Sequence, residues 1–258
     1  VLHNGRRSGR VMVSGATLAL VLASTLACLP ADDKNTGVAP TTAPASSPAA
    51  AKPTPTVTPN GVEKLRPAQI LARARKATAS ARFVQMRAEV HEEGETYKLD
   101  FRYEGKAKAT GTFMQGSQRM EISRFGKTVY LTANDAFWKA NVGKAGAQLF
   151  SGKHLKTTVK DRDFKELAVF SDRTALISEA LGAMSGWKKS RPGKVGTTPT
   201  VVITSSTGDK LNVASQGRPY ILLLEGGPGN SIEYRGYETP VSVRPPTKGV
   251  VDIDSLRR

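Results

Sequence analysis

One cysteine, Cys28, stands in a chain of 258 residues. No internal disulfide is possible, so packing alone must hold the fold. Histidine is almost as scarce, at three residues, of which only His91 and His154 lie beyond the first thirty positions. His91 neighbours Glu92, Glu93 and Glu95, but one imidazole with carboxylates on a turn is a weak ligand set. No metal site and no other cofactor is expected. A Gly-x-Ser-x-Gly nucleophile elbow is also missing. Nothing in the pattern assembles a nucleophile with a base and an orienting group, so no catalytic residues are expected and the chain is read as a non-enzyme. Long apolar runs are lacking too. The longest falls short of the ~20 residues that a spanning helix needs.

Acidic residues are the last scarcity. The chain has 22 Asp and Glu against 38 Lys and Arg, for a net charge of +16. Removing the three arginines that precede Cys28, and noting that Asp32 and Asp33 cancel Lys34 and Lys52, leaves +13 on residues 61–258. That balance favours anionic partners such as lipid headgroups or wall polymers. Nucleic acid is the usual partner of so basic a chain, but the export signal described next argues against it, and none is expected.

Arg6, Arg7 and Arg10 precede an apolar stretch from Val11 to Leu26, and Ala27 follows. A basic start, an apolar segment and a small residue at its end make a secretory signal. Ser24-Thr25-Leu26-Ala27-Cys28 resembles the lipobox of bacterial lipoproteins. The resemblance implies cleavage before Cys28, lipidation of its sulfur (a diacylglycerol, with palmitate-type chains) and a protein held on the outer face of the cell membrane. The favoured lipobox has leucine three places before the cysteine; here Thr25 stands there. Plain secretion and an uncleaved anchor are the alternatives.

The expected organisation is a signal over 1–27, a lipidated cysteine with a linker over 28–60, and one folded domain over 61–258. Ala39 to Pro59 is nearly all Ala, Pro, Ser and Thr, a composition that cannot bury enough apolar surface to order itself. Pro67 to Ala81 has a helical period, with proline at a favoured first position. Period-two alternation then runs from Val84 to Leu131, broken by turns at Glu92-Glu93-Gly94, Gly105, Gly116-Ser117 and Phe125-Gly126-Lys127. Successive strands with short turns make an antiparallel meander with one apolar face. Asn134 or Asp135 caps a short helical turn. Helices are expected over 161–168 and 171–181, and strands over 187–190, 200–205, 210–214, 220–224 and 231–237. Segregated helices and strands define an α+β fold: a curved antiparallel β half-barrel with helices covering its concave apolar face.

This order of elements resembles the LolA-like lipoproteins of the LppX/LprG type. The matching stretches are Thr128-Val129-Tyr130-Leu131 with Ala136-Phe137-Trp138-Lys139, Asp163-Phe164-Lys165-Glu166-Leu167, Val213 to Tyr220, and Pro245-Pro246 with Val251-Asp252. The resemblance implies an eleven-stranded half-barrel enclosing a hydrophobic cavity that binds a lipid or acylated molecule and carries it in the envelope. It identifies no binding residue. Gly226-Gly227-Pro228-Gly229 looks like the oxyanion stretch of proline-releasing α/β-hydrolases, but Glu225 replaces their histidine, and a turn between strands explains the glycines.

Cavity candidates therefore come from the alternation itself: Val84, Met86, Ala88, Leu99, Phe101, Met120, Ile122 and Leu131, all on one face. Helix 67–81 and the segment 161–181 are expected to cover that face from two places, leaving a gap between them. The expected protein is a monomer, tethered to the membrane through its N-terminal lipid and binding a lipid or acylated ligand. The alternative is a non-transporting envelope sensor or scaffold that binds a partner protein over a filled core.

Overall fold

In the computed structural model, residues 58–256 other than 163 and 183 are described. The expected signal segment, Cys28 and the expected linker up to residue 57 lie outside the described residues. Helix α1 (Pro67–Ser80) precedes strands β1 (Phe83–Glu92), β2 (Glu95–Glu104), β3 (Lys108–Gln115), β4 (Gln118–Phe125) and β5 (Thr128–Ala133). Helix α2 (Asp135–Phe150) leads into β6 (His154–Thr158). Then come the short helix α3 (Lys165–Ala168), a 3-10 turn (Val169–Ser171) and helix α4 (Arg173–Gly182). Strands β7 (Lys188–Lys189), β8 (Gly193–Val195), β9 (Thr198–Thr204), β10 (Lys210–Ala214), β11 (Ile221–Glu225) and β12 (Ser231–Arg235) form the second run. Strand β13 (Val250–Asp252) and helix α5 (Ile253–Leu256) follow.

The strands make one open, curved sheet in the order β13-β6-β5-β4-β3-β2-β1-β12-β11-β10-β9-β7, with β8 on β9. Every pairing is antiparallel except β13 with β6. The two meanders join where β1 meets β12, with Met86 opposite Tyr234 and Ala88 opposite Ile232. This is the expected α+β half-barrel. Its sheet has 13 strands rather than the implied eleven, because β6 and β13 extend one edge and the short β7 and β8 extend the other.

Register explains the core. Met86 pairs with Phe101, Phe101 with Gly111, Gly111 with Ile122 and Ile122 with Leu131. Side chains alternate along each strand, so the apolar members of these pairs share the concave face. On the second meander Leu224 pairs with Leu211, and Leu211 with Ile203. Phe101, Met120, Ile122, Ile203 and Leu211 are wholly buried, and burial of each large side chain contributes roughly 1.5–3 kcal/mol.

Helix α1 lies against β11 and α4. Ile70, Ala74 and Thr78 are buried at four-residue spacing. The wholly buried Thr78 also accepts a hydrogen bond, 2.9 Å from the Ile221 backbone nitrogen. Thr78→Val keeps the shape and removes that acceptor. An orphaned buried N–H costs about 1–3 kcal/mol, so the urea midpoint is expected to fall with no change of slope; an unchanged midpoint would show that the bond contributes nothing.

Two local outcomes differ from expectation. The segment after Asn134 is helical from Asp135 to Phe150, in two stretches on either side of Gly143, rather than one short turn. Asn134 caps it, accepting from the Phe137 nitrogen at 3.1 Å, and Gly143 breaks it at φ 74°, a conformation glycine adopts without a Cβ penalty. At the other end of the assigned linker, Thr58 to Asn60 pair with Ser215 to Gly217: Asn60 donates to the Ser215 carbonyl at 3.0 Å, and Gly217 to that of Thr58 at 3.1 Å. Among the described residues, no helix is long and apolar enough to cross a membrane.

Candidate functional site: an apolar groove under helix α4

The concave face is covered unevenly. Along β1, Val84 and Met86 are buried, Ala88 and Val90 half-buried, and Glu92 exposed. The neighbouring strands follow the same gradient: Tyr103 and Phe101 are buried on β2, whereas Leu99 and Tyr97 are not. Ile232 is half-buried on β12, and Tyr234 is buried. Cover thus stops partway along the strands, toward the end that carries the Glu93-Gly94 hairpin.

Where it stops, an open groove of about 600 Å³ runs under α4. Its floor is Met86, Ala88 and Val90 of β1, with Leu99 and Tyr97 of β2, Phe113 of β3 and Ile232 of β12. Phe170, Leu176 and Ala180 form the opposite wall. Glu92 and Glu179 stand at its rim. A smaller recess of about 210 Å³ shares Val90, Ala180 and Ile232 and continues toward Leu224 and the Gly226-Gly227 turn. Apolar walls with few polar groups, and this volume, are those of small-ligand sites.

The wall is fixed from behind. Phe170 stacks on Phe113 at 5.2 Å and on Phe101 at 6.3 Å between ring centroids. Tyr103 donates from its hydroxyl to the Phe170 carbonyl at 2.9 Å, pinning the 3-10 turn. Arg173, buried at the start of α4, donates from Nη2 to the Ala79 carbonyl of α1 at 2.7 Å, and its Cζ lies 6.0 Å from the Tyr103 ring centre. Its Nε and Nη1 make no hydrogen bond among the described residues. Burial lowers the pKa of Arg173, opposed chiefly by Tyr237 and Tyr103. Burial also pushes the hydroxyls of Tyr103 and Tyr234 up, with Tyr234 adding to the shift of Tyr103. These tyrosines therefore stay neutral at ordinary pH.

The eight sequence candidates divide. Met86, Ala88 and Leu99 line the groove. Val84, Phe101, Met120, Ile122 and Leu131 are packed in the core, each no more than 2% exposed; the 3-10 turn lies against β2, β3 and β4, and α2 against β4 and β5. The opening also lies elsewhere than expected. It is not between α1 and the 161–181 segment, which are bridged by Arg173 and by Arg75 donating to Ser178 Oγ at 3.2 Å; it runs beneath α4. Sequence reasoning missed Phe113, Phe170, Leu176, Ala180 and Ile232. Ala175, Leu176, Ala180 and Leu181 form an apolar stripe in the sequence, but nothing in it says which face stays open.

His91 points away from the groove, with Nδ1 3.0 Å from Thr96 Oγ1 and Nε2 3.4 Å from Glu89. No group of three His, Cys, Asp or Glu side chains gathers at metal-binding spacing among the described residues. Gly226 to Asn230 close a turn, Gly226 donating to the Asn230 carbonyl at 2.9 Å.

No family model matches the chain, and no curated protein does. Among solved structures it is similar to a crystal structure of MucB, with 14% identity and a TM-score of 0.39, over 70% of this chain and 63% of that one. It is also similar to MucB in complex with MucA(peri), with 12% identity and a TM-score of 0.34, over 65% and 53%. A third is the MucA/MucB complex of Pseudomonas aeruginosa, with 13% identity and a TM-score of 0.33, over 65% and 54%. The chain spans little more than half to under two thirds of those chains. At such TM-scores the likeness decides nothing about this protein.

Proposed function

We propose that this chain is a membrane-anchored lipoprotein whose domain binds or carries a lipid or an acylated molecule. The observation that carries the reading is the open apolar groove of about 600 Å³ under α4. An acyl chain is flexible, apolar and long, and such a groove buries it without demanding polar partners. The polar groups of the groove's lining are few: Glu92, Glu179 and the Tyr97 hydroxyl. Mass spectrometry of organic extracts from the purified protein tests the reading. Acyl lipids at a stoichiometric level are expected; a protein that is lipid-free and takes up no added acyl chain overturns it.

Anchoring rests on the sequence Leu26-Ala27-Cys28 behind a signal segment. Two or three acyl chains hold a protein on a membrane stably, whereas one gives only marginal, reversible binding. Cys28→Ala is expected to move the protein from the membrane to the soluble fraction of a bacterial host. Retention equal to wild type would mean that something other than Cys28 anchors it.

A further inference from the structure

The rim of the groove has an unusual charge for this protein. Residues 61–258 carry +13, yet the groove's charged lining consists of Glu92 and Glu179 alone. Glu93 and Glu95 lie beside Glu92 in the β1–β2 hairpin, and all four carboxylates are on exposed residues. None of the four makes an ion pair among the described residues. Lys98, on the strand after this hairpin, lies 3.5 Å from Glu89 instead, and Arg75 donates to Ser178, the residue before Glu179.

The hairpin is built against its own stability. Glu92 is directly opposite Glu95, and like charges in that position repel. Glu93 takes a positive φ of 52° and Gly94 one of 83°, a pair of positions where Asn-Gly or Asp-Gly is preferred. Gly94 suits its position, whereas Glu93 and the Glu92–Glu95 pair do not help the free fold. A positive charge arriving at the rim would relieve the repulsion.

We propose that the groove takes an acyl-chain amphiphile whose polar end carries a positive charge: an ammonium group held between Glu92 and Glu179, with the chain lying under α4. This rests on the acyl-chain reading above and adds the class of headgroup. Phosphate and carboxylate headgroups are disfavoured at this rim, although the protein's overall charge attracts them. Local and global electrostatics thus make opposite predictions, and charges in contact outweigh those beyond a Debye length of ~8–10 Å.

Binding of dodecylammonium and of dodecanoate to the purified protein, each below its critical micelle concentration and at low salt, tests this by calorimetry. The ammonium is expected to bind about tenfold more tightly, with the preference shrinking as salt rises. The double substitution Glu92→Gln with Glu179→Gln is expected to bring the two ligands to parity while both still bind. Dodecanoate binding as tightly as dodecylammonium, or a preference that survives the double substitution, overturns the headgroup assignment and leaves the acyl-chain reading standing. Failure of both ligands to bind overturns the two together.

Discussion

Ala88→Phe is expected to weaken acyl-chain binding by at least about tenfold and to leave the melting temperature within ~2 °C of wild type. Ala88 lies mid-groove, half-buried, with Leu99 and Ile232 as its cross-strand neighbours. A benzyl group there projects into open space between the floor and α4. It takes up room that a ligand needs. In a filled core the same change would overpack, costing ~1–3 kcal/mol. For a domain of this size each kcal/mol lowers the melting temperature by ~2–4 °C. Titration with a fluorescent fatty acid, beside a thermal melt, separates the two. Unchanged binding with a clear loss of stability would make this face ordinary core and favour the partner-binding scaffold. Ala180→Phe, from the opposite wall, is expected to act in the same way.

The first meander was plain in the sequence because two independent signals agreed. Apolar residues alternate from Val84 to Leu131, and the turns fall where the alternation breaks. The observed strands β1 to β5 follow both. Strand β6 was not anticipated. Its five residues include Lys156, and its pairing with β13 joins positions about a hundred residues apart. No local pattern records a long-range parallel pairing of three residues. Helix α2 was seen only at its start, since Gly143 breaks it and Gly146 lowers helical propensity where helix resumes beyond the break.

The candidate site was half legible for a related reason. Alternation decides which side chains share a face, and all eight candidates do share one. It does not say how far the helical cover reaches along that face. Val84 and Phe101 are indistinguishable in pattern from Ala88 and Leu99, yet the first pair is buried in the core and the second lines open space. That boundary is set by the Val169–Ser171 turn, which is held by the Tyr103 hydroxyl 67 residues away. The acidic rim is equally a product of the fold, since Glu179 of α4 and Glu92 of β1 come to the same groove from segments far apart in the chain.

The largest stability effect is expected at Gly111, inside β3, for Gly111→Ala. Glycine within a strand often marks the close approach of another group, and here that group is identified. A Cβ on Gly111 would lie 2.4 Å from Phe101 Cγ on its cross-strand neighbour, and 2.5 Å from the Asp100 carbonyl oxygen. Neither can yield easily. The oxygen belongs to the β2 backbone, and the Phe101 ring is wholly buried, stacked against Tyr103 and Phe170. The methyl group must push the ring or separate the strands, at about 3 kcal/mol. The melting temperature is then expected to fall by roughly 6–12 °C. The displacement should also reach the site, because Phe101 supports Phe170 and Phe170 walls the groove. Gly105→Ala is the control: a Cβ there meets nothing within 4 Å, and only its positive φ of 61° opposes the change, at ~1–2 kcal/mol. A Gly111 variant as stable as the Gly105 variant would show that Phe101 moves freely. The aromatic stack could not then be what keeps the groove open.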